Sequence, residues 1–414
     1  MFALQPSASG QQKDAFALID EIPARAAGLD YVYNFDVPAL TKAPKGYRPF
    51  YISHYGRHGS RYAYSASFYN HVWEVFNRAD SLGILTPLGK DMLERYRPLY
   101  TPLSERMGDL CDKGWEQQRR IARTMYRSFP DVFKDGSRVF ACSSSSIRSI
   151  MSMSAFCVGL AQCDGGLDIR EEQGRIYLNG TRPREGSNLR AKPRVPYAGM
   201  PYDLSLEEFM DRIMDVDGML GKFFTDAEKA LGGHNKFHFM RRFYIFASGM
   251  QSLDYPADFR DVFTMDEWKR LWEADNFDSF REYHKYINQD SAILEDMMSS
   301  LRDHAASGET GASLRFGHDH CLMPLLMMMG INEFRDIPST PENVKDRFRT
   351  FDSPMAANIQ VILYRKSRGT GEMLVKVLLN GTEAHMPLDE ARWPYYSWDE
   401  FAAYCDAVTA RYAL

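Results

Sequence analysis

Short apolar runs alternate with segments of helical periodicity along most of the chain. Residues 50–52 form one such run and read as a buried strand leading into 51–62, Tyr-Ile-Ser-His-Tyr-Gly-Arg-His-Gly-Ser-Arg-Tyr. Over 67–82, Phe68, Val72, Val75, Phe76 and Ala79 recur on one helical face, and after the turn Leu-Thr-Pro-Leu-Gly more helix begins near Lys90. Residues 114–129 carry a stripe of Ile121, Met125 and Phe129, and Pro130 stops the helix. Residues 138–142, Arg-Val-Phe-Ala-Cys, are short and apolar, as a buried parallel strand must be. They run through Ser143, Ser144, Ser145 and Ser146 into a helix over 147–162, where the serines are expected to cap free N–H groups.

The stretch 167–201 reads as irregular and is rich in Arg, Gly and Pro, whereas 205–300 is helical with little strand signal. The sheet resumes at 313–317, followed by His318, Asp319, His320 and a Met-rich helix over 322–329 with Pro324 in its first turn. Residues 359–365 and 373–379 read as a hairpin, and 399–412 as a closing helix. The pattern predicts an α/β sheet covered by helices and interrupted by a helical insertion.

Length agrees, because 414 residues exceed the ~250–300 that one hydrophobic core comfortably serves. Apolar residues at 44% and charged residues at 25% are ordinary for a globular chain. A net charge of -5 gives no general attraction to nucleic acid or anionic lipid, so phosphate binding needs a local basic pocket. The cysteines Cys111, Cys142, Cys157, Cys163, Cys321 and Cys405 include no CxxC pair and suit neither a zinc ribbon nor a redox motif. They are expected mostly as small buried residues, with room for one or two bridges. His234 and His238 stand at an i, i+4 spacing, but without an HExxH pattern or a third ligand nearby they are expected as ordinary histidines. Residues 1–13 lack the basic and apolar regions of a signal peptide, although they resemble the tail left after one is removed. No window approaches the ~20 apolar residues of a membrane span.

Three expected strand ends carry polar groups: Arg57, His58 and Arg61; Arg148; and His318 with Asp319. Neighbouring parallel strands would bring them to one edge of the sheet. Guanidinium forks match phosphate oxygens and hold their charge at any working pH, and a neutral imidazole among them can attack phosphorus. On that reading His58 is the nucleophile, while Arg57, Arg61, Arg148 and His318 neutralise the phosphoryl oxygens. Asp319 protonates the leaving alcohol and then assists water. The arginines do the neutralising, so the reading calls for no metal and no cofactor.

Ordered in this way, the residues resemble those of the histidine acid phosphatases, the larger branch of the histidine phosphatase superfamily, which contains phytases and multiple inositol polyphosphate phosphatases. Residues 57–61, Arg-His-Gly-Ser-Arg, fit the RHGxR signature whose histidine takes the phosphoryl group. Residues 144–154 resemble the segment whose arginine binds phosphate, which implies that role for Arg148. His318-Asp319 fits the HD proton-donor motif, and 355–360 (Met-Ala-Ala-Asn-Ile-Gln) resembles a strand that follows it. Residues 314–326 are most similar to the inositol polyphosphate branch, yet that branch usually has His-Ala-Glu where this chain has His318-Asp319-His320. The proline that often follows the signature is Ala63 here, so the subfamily stays open.

The resemblance implies an α/β fold with a mainly parallel sheet flanked by helices and an inserted α-helical cap. The expected division is a lead-in over 1–47, a phosphatase domain over 48–166 and 301–414, and a cap over 167–300. Specificity in such enzymes lies largely in the cap, which makes Lys45, Arg182, Arg184, Arg190 and His320 pocket candidates. The expected partner is a small phosphorylated substrate, inositol polyphosphates such as phytate foremost, with no nucleic acid and no membrane span. A monomer or dimer in the periplasm or secreted completes the expectation. The rival readings are a phosphoglycerate-mutase-like transferase and a catalytically silent binder of a phospho-ligand.

Overall fold

The computed structural model describes residues 14–412 apart from 135–136, 186–203, 254, 256–257, 286, 336–337 and 368–370. Its strands are β1 (Tyr47–Arg57), β2 (Arg138–Ser143), β3 (Asp168–Gln173), β4 (Gly311–Gly317), β5 (Asn358–Lys366), β6 (Leu374–Leu379), β7 (Thr382–Glu383) and β8 (Tyr396–Ser397). They form one sheet in the order β3-β2-β4-β1-β5-β6-β7, with β8 paired to β6. From β3 to β1 the neighbours are parallel, because each connection carries helices across a face of the sheet. From β1 through β5 to β6 they are antiparallel, and the short link between β5 and β6 permits nothing else.

The principal helices are α1 (Ser67–Ser81), α2 (Pro87–Tyr96), α3 (Asp112–Ser128), α4 (Ile147–Ala161), α5 (Leu206–Ile213), α6 (Lys236–Gly249), α7 (Met265–Lys285), α8 (Ser291–Ser307), α9 (Asp319–Met329) and α10 (Trp398–Tyr412). Side chains alternate across the pleat, so both faces of the central strands are buried. On one face Ile52, Leu314 and Ile362 pack with Met125 of α3 and Phe156 of α4. On the other, Tyr51, Tyr55 and Ile359 pack with Met297 of α8, Leu326 of α9 and Phe401 of α10. A third core contains no strand residue: Val75 and Phe76 of α1, Tyr96 of α2, Phe243 and Phe246 of α6 and Trp272 of α7 meet in a purely helical layer.

Two features depart from the sequence expectation. Residues 168–173, read as irregular, are the edge strand β3, paired in parallel with β2. Its sequence Asp-Ile-Arg-Glu-Glu-Gln is largely exposed, so no apolar pattern announces it. The helical core, in turn, draws on α1 and α2 from upstream of β2 as well as on the long stretch after β3. The six cysteines are free thiols, five of them buried. No helix among the described residues is long and apolar enough to cross a membrane.

Candidate active site

Sheet register brings the motifs together. Arg57 of β1 stands opposite Gly317 of β4, and Phe316 opposite Ser143 of β2, so the residues that follow these strands share one edge. The loop after β1 is pinned on all sides. Its backbone N–H groups donate from His58 to Gly317 O (3.1 Å) and from Arg57 to Ala357 O (2.7 Å), and Ala356 N–H donates to His58 O (2.9 Å). Ala356 holds a left-handed φ of 65° to make that contact. Helices α3 and α4 reach in as well: Gly59 N–H donates to Ser152 Oγ (3.0 Å), Ser60 N–H to Gln117 Oε1 (2.9 Å), and Gln118 Nε2 donates to Arg57 O (2.9 Å). Gly59 is required by the helix, since a Cβ there would lie 2.4 Å from Gly114 O at the start of α3.

His58 is buried, and its Nδ1 lies 3.0 Å from Gly59 O. A carbonyl can only accept, so Nδ1 carries the proton and Nε2 presents a lone pair. Burial, joined by the nearby charges of Arg148, Arg57 and Arg61, holds the imidazole well below the usual histidine range. It therefore stays neutral into acidic pH.

The guanidiniums around it are only partly engaged. Arg57 is fully buried, and its Nη1 donates to Leu29 O (2.6 Å) and Ser353 O (2.7 Å), whereas Nη2 has no hydrogen-bond partner among the described residues. Arg61 donates from Nη1 to Tyr62 O (3.2 Å), and its Nη2 lies 3.9 Å from Asp30 Oδ1. Arg148, set in the first turn of α4, donates from Nη2 to His318 Nδ1 (3.4 Å). Burial and the neighbouring Arg61 lower Arg148 to about 10, still charged at any working pH. The Nε groups of Arg61 and Arg148 are buried without an acceptor among the described residues. Buried N–H groups are nearly always satisfied, so this ring of them marks a candidate anion site.

The serines after β2 do not cap α4, where Ser146 makes no capping bond. Instead, Ser144 Oγ lies 3.0 Å and Ser146 Oγ 3.3 Å from His318 Nε2. Because Nδ1 accepts from Arg148, the His318 proton sits on Nε2 and faces the serines. His318 thus stands between Arg148 and the two serines at the edge where the sequence places it. Its ring is edge-on to His58, with centroids 5.5 Å apart.

Asp319, the first residue of α9, has Oδ1 3.3 Å from Arg57 Nε and accepts at Oδ2 from Tyr283 Oη at 2.5 Å. Burial alone would raise its pKa. Arg57, His320, the Tyr283 hydrogen bond and His58 outweigh burial and hold the carboxyl far below its ordinary range.

The pocket candidates separate. Arg182 sits beside the candidate anion site, 3.4 Å from Ser146 Oγ and 2.8 Å from Glu185, with Nε buried and without a partner among the described residues. His320 stacks on His318 at 5.0 Å. Arg184 grips the buried Asp290 carboxylate with Nε (3.0 Å) and Nη2 (2.8 Å). Lys45 is exposed and precedes β1, so roughly 40 Å of strand separates it from the site, at ~3.3 Å per residue, and it takes no part in the pocket. Arg190 lies outside the described residues. His234 and His238 are elsewhere too, His238 paired with Glu207 at 2.8 Å and His234 packed against His71. Sequence reasoning missed Asp30, Tyr64, whose ring lies 5.2 Å from the Arg61 guanidinium, and Tyr283.

The model of the histidine phosphatase superfamily (branch 2) matches residues 56–380. Among solved structures, the multiple inositol polyphosphate phosphatase of Bifidobacterium longum, in complex with inositol hexasulfate, superposes with a TM-score of 0.73 at 17% identity, covering 94% of this chain and 98% of that one. The phytase of D. castellii gives a TM-score of 0.69 at 15% identity over 98% of this chain and 89% of its own. Klebsiella sp. ASR1 phytase gives 0.58 at 14% identity, covering 91% and 98%. These likenesses establish a shared fold, and the family match extends across all three motif-bearing strand ends: the chain belongs to branch 2 of the histidine phosphatase superfamily.

Proposed function

We propose that the enzyme hydrolyses phosphomonoesters through a phosphohistidine at His58. Nε2 attacks phosphorus while the bond to the leaving oxygen breaks, and Arg57, Arg61 and Arg148 take up the charge on the equatorial oxygens. Asp319, protonated in the complex, gives its proton to the leaving alkoxide. Water then attacks the phosphohistidine and yields a proton to Asp319, which returns His58 and releases phosphate. Phosphate arriving beside Arg57 adds negative charge next to Asp319, which favours the proton that this step needs. The observation that carries the reading is a neutral His58, its Nδ1 proton held by Gly59, among buried guanidinium N–H groups that lack acceptors.

Inositol polyphosphates such as phytate are the substrate class we assign. The fold likeness to an inositol polyphosphate phosphatase and to phytases supports it, as does the additional unpartnered N–H of Arg182 next to the anion site. From the family we assign the enzyme to the periplasm or the secreted proteins, and the expectation of a monomer or dimer stands beside that assignment. The test is phosphate release without added metal from inositol hexakisphosphate, sugar phosphates and an aryl phosphate. Preference for the inositol ester is expected, and release confined to the aryl phosphate overturns the substrate assignment.

A further inference from the structure

Tyr283 packs in the core against the sheet face that holds Tyr51 and Tyr55, and its phenol ends at Asp319. It is buried at the C-terminal end of α7, where its ring meets Phe348 edge-on at 6.2 Å. Its backbone carbonyl accepts from Arg184 Nη2 (3.4 Å), and Arg184 is itself fastened to Asp290, which is fully buried. The Oη hydrogen bond divides the two oxygens of Asp319: Oδ2 is taken by Tyr283, and Oδ1 is turned toward Arg57. A carboxylate free to rotate would exchange these oxygens, but one tied at Oδ2 presents the same oxygen in every turnover.

We propose that Tyr283 is the positioning residue of the catalytic acid, fixing which oxygen of Asp319 meets the leaving group and tuning how readily that oxygen gives up its proton. The inference rests on Asp319 serving as the acid, as set out above. Burial and the adjacent Asp319 keep the phenol protonated, so it donates to the carboxylate throughout the working range. The other groups that act on Asp319 are Arg57 and His58 from the end of β1, Arg148 from α4, Tyr64 beyond Arg61, Asp30 from the N-terminal segment and His320 on its own helix. All of these remain when the hydroxyl alone is removed. A donor to a carboxylate stabilises its charged form, so loss of the hydroxyl raises the proton affinity of Asp319.

The experiment compares wild type, Tyr283→Phe, Asp319→Asn and the double variant, with kcat and KM for an inositol phosphate measured across pH. Phenylalanine keeps the ring packing, and the affinity for inorganic phosphate checks that the anion site is intact. In Tyr283→Phe the alkaline limb of kcat is expected to move up by about one pH unit, the scale of one hydrogen bond to a charged group. At the wild-type optimum kcat falls several-fold while KM stays close to wild type. In the Asp319→Asn background the same substitution produces no further loss. An unmoved limb with losses that multiply in the double variant overturns the positioning role while leaving Asp319 as the acid. Full activity in Asp319→Asn alone overturns the assignment of the acid itself.

Discussion

At the scale of single residues, the site depends on contacts that leave no slack. Gly59 is one such case, because a methyl group there meets the backbone carbonyl of Gly114, which no rotamer change can relieve. Gly59→Ala is expected to destabilise the protein by about 1–3 kcal/mol and to cut activity through a displaced His58, measured by urea unfolding and by phosphate release. Wild-type stability and turnover together would contradict the packing described. His58, Arg57 and Arg61 were legible in the sequence because one short motif places their chemistry side by side. Asp30 and Tyr283 were not, since each reaches the site from a distant segment and sits in surroundings, an unpatterned lead-in and a long amphipathic helix, that give a polar side chain no distinctive signal. The serines after β2 were legible as a cluster but misread. Helix capping is their usual task, and only the parallel placement of β4 beside β2 brings His318 into their reach.

At the scale of elements, legibility followed burial. Strands β1, β2, β4, β5 and β6 are enclosed on both faces or nearly so and show as apolar runs. β3 has one neighbour and a charged sequence, so its strand character comes from pairing alone. The helices of the third core show clear periodicity, but periodicity does not say which helices share a core. That α1 and α2 join α6 and α7, across the intervening sheet strands, is a tertiary outcome. The joint between that core and the sheet is polar at named points: Trp272 Nε1 donates to Thr350 Oγ1 (3.0 Å), and Asn276 bonds both Phe348 O (2.7 Å) and Thr350 N–H (2.8 Å). Through the same helix, α7, Tyr283 is held against Asp319.

At the scale of the whole molecule, several buried histidines make folding sensitive to acid. Burial holds His54 at about 3, His320 at about 3 and His284 at about 4, against 6.5 for an exposed ring. Between these values and 6.5 the unfolded chain binds protons that the folded chain refuses, so stability falls as pH drops through that window. The depressed Asp319 adds to the loss at the lowest pH, as its carboxylate is protonated. Asp290, raised to about 6 by burial, acts in the opposite sense between pH 6 and its ordinary value near 3.8, as do Asp30, Asp275 and Asp352, which burial also raises, but His58, His71 and His318 are lowered as well, which sets six histidines against four carboxyls. The melting temperature of the ligand-free enzyme is therefore expected to fall steadily from pH 7 to pH 4 in calorimetry, and a flat or rising trend would contradict the burial of these groups. Inorganic phosphate, the anion the proposed site would take, is expected to restore part of the loss.

The central claim is the covalent step at His58. The most direct measurement mixes enzyme with substrate, quenches it in alkali within the first turnovers, and locates any added phosphoryl group by peptide mass spectrometry. Attack by Nε2 predicts an acid-labile phosphoryl group on His58 that disappears when turnover is complete. The same account predicts that His58→Ala carries no label and releases phosphate about 10^4-fold more slowly or worse. Undiminished phosphate release by His58→Ala, or a label formed at wild-type rate on another residue, would contradict it.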